Sequence, residues 1–259
     1  MTHRMVIAIA IGLWPAALLS GASDELPLKG PKQSFEVTTT EHIPFQPGGT
    51  IRLENSYGYL TVEGWDEPEV EFTMTKSTDR FYAPPEKEKA EKRFPEIQVT
   101  SEHPSNKEYA ITTTTPVRSG LFTSKLPSGA TIVTRPLLPN NKRGITVEYR
   151  VRVPRDSKLV VRHDNGYVWV SDLTGELEVH SHTGDMIVAL PDPGPYAIDA
   201  RTGLGTVTSD FAGDWHNWFL FGTGFTYPGN TPARRVHLRM GRGSITIKKG
   251  PPIAPVFKN

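Results

Sequence analysis

Two histidines, His180 and His182, lie two residues apart within a stretch of alternating apolar residues. On a β-strand both side chains would point to the same face, and two imidazoles so placed can supply part of a metal site. Stacking of the repeats described below would place Arg162, Asp199 and Arg239 in the same column as His180. Because cations stand where a metal would need carboxylates, we expect a solvated column of mixed charge, without a metal or other cofactor.

Paired carboxylates, which glycoside hydrolases use, are the second chemistry that the chain offers. The available aspartates are Asp185, Asp192, Asp199, Asp210 and Asp214. No pair is distinguished by its surroundings, and turns also recruit aspartate. The chain has no Gly-x-Ser-x-Gly nucleophile elbow, and Gly203-Leu-Gly205 lacks the third glycine and the helix of a dinucleotide loop. We therefore expect no catalytic site.

Aromatic residues are concentrated in residues 213–235, which interrupt the regular part of the sequence. The candidate ligand or partner surface in this segment comprises Trp215, Trp218, Phe219, Phe221 and Tyr227. Aromatic rings beside polar groups suit sugar rings or protein partners, whereas the end of a β-stack needs an apolar cover. Since several exposed rings would promote aggregation, we expect Trp215, Trp218, Phe219 and Phe221 to pack mostly on the stack, with one or two rings partly exposed.

The remaining sequence is organised by a glycine-punctuated repeat. Five segments share it, at residues 51–62, 159–170, 177–188, 196–207 and 236–247. Apolar residues lie seven and five positions before the glycine and, in four segments, two and four positions after it. Such alternation indicates strands with one buried face, and the glycine supplies a positive φ where the strand changes direction. The pattern predicts equivalent turns at Gly58, Gly166, Gly184 and Gly243, with either Gly203 or Gly205 in the fourth segment.

One repeat is too small to bury its own apolar face, so neighbouring repeats must stack and bury it together. We predict an all-β fold, a single-domain β-solenoid with repeats of about 18–20 residues. The alternative is an antiparallel β-sandwich of stacked hairpins, because Asn165-Gly166 also favours a hairpin. The predicted inward residues are Ile51, Leu53, Leu60, Val62, Leu159, Val161, Val168, Val170, Leu177, Val179, Met186, Val188, Val236, Leu238, Ile245 and Ile247.

Residues 80–145 form an insertion between the first repeat and the others. Two prolines followed by Glu–Lys pairs at helical spacing favour a short helix over residues 86–93. Strand-like stretches follow at residues 97–101 and 108–115. The proline-rich residues 116–143 are predicted to be a loop, and alternation resumes at residues 144–153.

Residues 153–188 combine a Pro-x-x-x-x-Leu-x-Val start, an Asn-Gly turn, a Leu-Thr-Gly link and a Thr-Gly-Asp-Met-Ile-Val end. In these features the segment resembles the putative-adhesin β-solenoid domains of bacterial envelope proteins. Residues 48–70, which include Gly64-Trp65-Asp66, resemble the strand pair that opens those domains. The resemblance covers residues 45–75 and 145–249. It implies a β-solenoid exported to the envelope and carries over no catalytic residue.

The N-terminus has the three parts of a secretory signal peptide. His3 and Arg4 precede an apolar run from Val6 to Leu19, and small residues end at Ala22. The run is too short to span a bilayer. We therefore expect a signal peptide at residues 1–22, with the mature domain at residues 23–259. The chain has no cysteine, so neither a disulfide nor a lipid-modified cysteine is expected.

The chain has 29 basic and 28 acidic residues, a balance that does not favour nucleic acid as a partner. No segment of the mature chain is apolar enough to predict a membrane span. We expect an exported, periplasmic or extracellular, structural or interaction module of the cell envelope, adhesin-like, with an envelope protein or a glycan as partner. The alternatives are a carbohydrate-active enzyme on the same scaffold and the sensing domain of an envelope regulatory system.

Overall fold

The computed structural model describes residues 33–78, 81–114, 122–125, 131–134, 145–192, 194–218, 222–229 and 234–251. Within these ranges the fold is all-β with one short helix, as predicted. The strands are β1 (Glu36–Pro44), β2 (Thr50–Trp65), β3 (Glu69–Thr78), β4 (Gln98–Ser105), β5 (Glu108–Thr114), β6 (Phe122–Lys125), β7 (Thr131–Thr134), β8 (Ile145–Pro154), β9 (Lys158–Ser171), β10 (Leu177–Pro191), β11 (Tyr196–Leu204), β12 (Val207–Ser209), β13 (Asp214–Trp218), β14 (Gly222–Tyr227) and β15 (Arg234–Gly250). The helix is α1 (Lys87–Glu91). None of the helices in these ranges is long and apolar enough to cross a membrane. The predicted signal peptide lies outside them.

Four of the five repeats form long strands that pair in parallel, in the order β2, β9, β10, β15. Their glycines are neighbours, because Gly58 is in register with Gly166, Gly166 with Gly184, and Gly184 with Gly243. All four glycines have a positive φ, between 91° and 131°. The predicted equivalence of these four positions is confirmed.

Each of these strands turns around the core at its glycine. In β10, Val179 lies five residues before Gly184, and Met186 lies two residues after it. Residues seven apart face opposite sides of a flat strand, yet both side chains are fully buried in one apolar cluster. The strand therefore changes direction between them, so that both of its halves bring their apolar side to the same core.

All the inward residues predicted from the repeat are buried. They belong to one apolar cluster, and each is at most 2% exposed. Full burial of an aliphatic side chain of this size stabilises the fold by about 1.5–3 kcal/mol. The cluster is therefore the main reason why the repeats stack.

The bend divides the sheet into two layers that share β2, β9, β10 and β15. In the first layer, the N-terminal halves of these strands continue through β5 and β4 on one side and through β11, β14 and β13 on the other. In the second layer, the C-terminal halves continue through β8, β3 and β1 on one side and through the short β12 on the other. The repeats pair in parallel, whereas β1, β3, β4, β13 and β14 pair antiparallel.

Close packing of neighbouring backbones requires glycine at the bend. A Cβ atom at Gly184 would collide with the carbonyl oxygen of Gly166, and one at Gly243 with that of Gly184. A side chain at the bend would push adjacent strands apart, besides needing a φ that L-residues rarely adopt. The glycine pattern in the sequence therefore reflects both conformation and space.

The fourth repeat differs from the others in which of its glycines aligns with theirs and in its position in the sheet. Gly205 has a positive φ of 140°, and a Cβ atom there would meet the carbonyl oxygen of Gly243. Gly205 is thus the equivalent glycine, and Gly203 is not. Both parts of this repeat, β11 and β12, pair with β15, which in turn pairs with β10. The last repeat of the chain therefore lies between the third and the fourth.

The insertion at residues 80–145 is more structured than predicted. The helix α1 is present, flanked by short 3-10 turns at Pro84–Glu86 and Phe94–Glu96, and the two predicted strands correspond to β4 and β5. Residues 116–143 were predicted to be a loop, yet they include β6 and β7, which form an antiparallel hairpin. The β-branched residues of Thr131–Thr134 favour a strand even between proline-rich stretches.

Candidate functional site

The first layer presents two rows of ionisable side chains to solvent. One row contains Arg162, His180, Arg239 and Arg201, and the other contains Glu178, His237 and Asp199. Oppositely charged side chains of the two rows form ion pairs. Arg162 Nη2 lies 3.0 Å from Glu178 Oε1, and Arg239 Nη2 lies 2.5 Å from Asp199 Oδ2. The predicted column that joined Asp199 to His180 was wrong, because the fourth repeat uses the Gly205 frame, which puts Arg201 in that place.

Asp199 is the centre of the charge network. Its carboxylate pairs with Arg239, with Arg201 Nε at 3.1 Å and with His237 Nδ1 at 3.5 Å. Burial acts to raise the pKa of the Asp199 carboxyl, but the hydrogen bonds and charges of the two arginines outweigh burial and lower the pKa. The carboxylate is therefore ionised at neutral pH and unsuited to proton donation.

The two histidines of the network are neutral at neutral pH. The ring centroids of His180 and His237 are 5.6 Å apart. Burial, followed by the positive charge of Arg162 near His180 and of Arg239 near His237, lowers the pKa of both imidazoles. His182 is exposed beside the bend. Within the described residues no group of three or more metal-ligating side chains is placed to hold a metal ion.

Three of the other candidate aspartates contact residues of β15. Asp185 Oδ1 accepts a hydrogen bond from Ser244 Oγ at 2.5 Å. Asp192 and Asp210 both contact Lys249, through its ammonium at 3.2 Å and its backbone N–H at 3.2 Å respectively. These contacts occupy carboxylate oxygens that a hydrolytic pair would present to its substrate. Asp214 is exposed on β13.

The predicted aromatic surface lies at an edge of the first layer, where β13 and β14 form an antiparallel hairpin beside β11. Trp215 is 50% exposed, and its ring centroid lies 4.8 Å from that of the fully buried Phe225. Tyr227 is partly buried against the core, 5.5 Å from the ring of Phe211. The side chain of Trp218 and the residues Phe219 and Phe221 lie outside the described part of the chain, so the expectation for them stays a prediction.

A second group of aromatic side chains, which the sequence pattern did not predict, lies on the outer face of the second layer. Tyr59 of β2 is in register with Tyr167 of β9, and Trp169 follows two residues further along β9. We call these three residues the aromatic patch. Tyr59 is 56% exposed, and the other two are partly buried. One signal in the sequence could have indicated the patch: the residue directly after the repeat glycine is tyrosine in the first two repeats, at Tyr59 and Tyr167.

Polar side chains extend the aromatic patch across neighbouring strands. On β8, Glu148 is in register with Tyr59. On β10, Asp185 is in register with Tyr167. Burial and then the charge of Asp185 raise the pKa of the Tyr167 hydroxyl, which is therefore protonated and able to donate a hydrogen bond at neutral pH.

A shallow groove between β3 and β8 lies next to the aromatic patch on the same face. It encloses about 220 Å³ and is lined by Glu71, Thr73, Thr75, Glu148, Arg150 and Arg152. The guanidinium of Arg152 is held between Glu63 at 3.4 Å and Glu71 at 3.5 Å. The outer face of the second layer thus combines exposed ring surface with hydroxyl, carboxylate and guanidinium groups.

No protein-family model matches the chain, and no curated protein matches it significantly. Among solved structures, the chain is similar to a "putative cell adhesion protein" from Clostridium sporogenes. The TM-score is 0.43 at 14% sequence identity, and the match covers 84% of this chain and 100% of the other. The resemblance to adhesin-like domains therefore remains an expectation from the sequence.

Proposed function

We propose that the protein is an exported, adhesin-like interaction module of the cell envelope, which acts without catalysis in the periplasm or outside the cell. In this proposal the repeats form a β-solenoid, and its outer faces bind an envelope protein or a glycan. The observation that carries the proposal is the in-register parallel stacking of β2, β9, β10 and β15. This stacking places equivalent outward residues in rows across the strands.

Rows of this kind suit binding of an extended partner. Neighbouring strands are about 4.7–4.9 Å apart, so equivalent side chains recur at that interval across the face. Because the sheet holds them in place, little conformational entropy is lost when a partner binds. Two outer faces are available, one on each layer.

The pairing of β9 supports the solenoid over the stacked-hairpin alternative. A hairpin at Asn165-Gly166 would pair the two halves of β9 with each other. In the structure, Leu159 and Val161 are in register with Leu177 and Val179 of β10, and the residues after Gly166 are in register with those after Gly184. Both halves of β9 thus pair with the neighbouring repeat.

Binding to envelope material tests the proposal. The purified mature protein would be mixed with isolated bacterial envelopes, with envelopes treated with protease, and with envelopes oxidised by periodate. We expect sedimentation with untreated envelopes and loss of binding after one of the two treatments, which distinguishes a protein partner from a glycan. A cytosolic protein of similar size and charge is the control. Equal sedimentation of the control, or none of this protein, would contradict the proposal.

Export is tested separately by expression in a bacterial host. We expect cleavage near Ala22 and recovery of the mature chain outside the cytoplasm, because residues 1–22 have the charge and apolar pattern of a signal peptide. N-terminal sequencing of the recovered protein identifies the cleavage site. Retention of the uncleaved chain in the cytoplasm would be the contrary result.

A further inference from the structure

We infer that the aromatic patch and the adjoining groove form a binding site for a neutral polysaccharide chain that lies across the strands of the second layer. This inference rests on the proposed function and deepens it, because it selects one ligand class and one face. The chain would extend from the groove between β3 and β8, over β2 and β9, to β10. These strands span about 19 Å at a separation of 4.7–4.9 Å.

The aromatic patch supplies the apolar part of such a site. Tyr59 and Tyr167 occupy adjacent strands in register, and Trp169 lies on the same face two residues further along. Exposed aromatic rings present a flat apolar surface that matches the apolar face of a sugar ring, and a tyrosine adds a hydroxyl at its rim. With 56% of its surface exposed, Tyr59 leaves much of its ring accessible to a ligand.

Hydrogen-bonding groups flank the rings on both sides. Glu148 lies beside Tyr59 on one side, and Asp185 lies beside Tyr167 on the other. Asp185 orients the hydroxyl of Ser244 through a hydrogen bond of 2.5 Å. Glu148 and the second carboxylate oxygen of Asp185 can accept hydrogen bonds from sugar hydroxyls, while the protonated Tyr167 hydroxyl can donate one.

The groove supplies a recess for one unit of the chain. Its volume of about 220 Å³ is below the roughly 300–1,000 Å³ typical of pockets for drug-sized ligands. Thr73 and Thr75 present hydroxyl groups there, in contact with Thr40 at 3.1 Å and Thr38 at 3.0 Å respectively. A single sugar unit fits this scale, and the flat face beyond the groove suits the next units of the chain.

The balance of charge favours a neutral ligand. The outward positions of β3, β8, β2, β9, β10 and β15 on this face carry the cations Arg150, Arg152 and Lys248 and the carboxylates Glu63, Glu69, Glu71, Glu148 and Asp185. Arg152 is already paired with Glu63 and Glu71. A polyanion would be repelled by the five carboxylates and a polycation by the three cations, so neither is favoured over an uncharged, hydroxyl-rich chain.

The test uses the mature protein with soluble oligosaccharides. Cellohexaose and chitohexaose are the neutral probes, and a galacturonic acid hexamer is the anionic probe; affinities are measured by calorimetry and by tryptophan fluorescence. We expect a neutral probe to bind with little dependence on salt, since no counterions need to be released. Tyr167→Ala and Tyr59→Ala should each weaken that binding about tenfold.

The matched control is Phe81→Ala, which removes an exposed aromatic ring that lies outside the strands of the second layer. It should change the affinity less than twofold, in line with ordinary surface substitutions. If Tyr167→Ala fails to fold, Tyr59→Ala still tests the site, because the exposed Tyr59 contributes little to the core. Failure of every neutral probe to bind, preference for the anionic probe, or loss of binding only in Phe81→Ala would each overturn the inference. If envelopes bind the protein while no neutral probe does, the proposed interaction module is supported and the polysaccharide site is contradicted. If neither envelopes nor probes bind, both proposals are contradicted.

Discussion

The outer faces of the two layers are built on the same strands, yet their chemistry differs. On the first layer, Arg162 pairs with Glu178, and Arg239 pairs with Asp199, so charges on adjacent strands neutralise one another. On the second layer, the outward residues include the aromatic patch, of which Tyr59 is the most exposed member. The shared stack sets the spacing on both faces, and the outward residue types decide what each face does. We expect the charged face to act mainly on stability and the aromatic face mainly on binding.

Disruption of the shared bend should have the largest effect, because both faces depend on it. We expect Gly184→Ala to lower the free energy of unfolding by about 3 kcal/mol or more, since the added Cβ needs a strained φ and collides with Gly166. Chemical denaturation measures the loss, and binding should fall with it.

Gly48→Ala is the matched control for this substitution. Gly48 also has a positive φ, of 75°, but a Cβ atom there would find its nearest neighbour, Asp156, at 3.9 Å. The expected cost is about 1–3 kcal/mol, from the backbone alone. Equal losses in the two variants would show that close packing at the bend is unimportant.

The second prediction concerns His163, which lies inside the bend between the two layers. It is 4% exposed, and its Nδ1 lies 2.9 Å from Ser56 Oγ. Burial lowers the pKa of His163 to about 4, against the opposing effect of the backbone hydrogen bonds with Asn165 and Gly58. The unfolded chain therefore binds the proton more tightly than the folded protein does. The contribution of His163 is complete above pH 6.5 and is lost as the pH falls towards 4, by about 3 kcal/mol.

Denaturation at pH 7 and at pH 4 measures this loss in the wild type and in His163→Asn. Asparagine retains a hydrogen-bonding group near Ser56 but does not titrate. The variant should be less stable at pH 7, yet its stability should depend less on pH. Parallel pH profiles for the two proteins would rule out His163 as the source.

The charged face provides the third prediction. Arg239→Gln should lower the free energy of unfolding by at most about 1 kcal/mol, because the pair is partly exposed and Asp199 keeps its contact with Arg201. The loss should shrink at high salt, which screens the charges. Oligosaccharide affinity should not change. A large loss of binding would show that the two faces do not differ in role.

The smallest effect on stability is expected on the aromatic face. Tyr59→Ala should change the free energy of unfolding by no more than about 0.5 kcal/mol, because the side chain is largely exposed. Tyr149 of the adjacent β8 is fully buried, and Tyr149→Ala should cost about 3–5 kcal/mol. Thermal and chemical denaturation distinguish the two. A Tyr59→Ala protein as unstable as Tyr149→Ala would mean that the patch is structural.

The strands and the glycine bend followed from the sequence because both are local properties. Alternation of apolar residues marks one face of a strand, and the spacing of the repeat is sufficient to assign residues such as Val179 and Met186 to the core. The positive φ at Gly184 follows equally from local pattern. The column of mixed charge on the first layer was also predicted, with Arg162 and Arg239 correctly placed beside His180. Only Asp199 was assigned wrongly, because Arg201 takes its place.

The order of the repeats and the aromatic patch were decided only by the tertiary structure. All the repeats offer a neighbour the same backbone hydrogen-bonding edge and the same apolar spacing, so the sequence does not say that β15 inserts between β10 and β11. The choice between the Gly203 and Gly205 frames depends on that insertion. Likewise, Tyr59 and Tyr167 are far apart along the chain and become neighbours only when β2 pairs with β9. Local spacing thus determined which residues face inward, whereas lateral pairing, a long-range property, determined which outward residues meet.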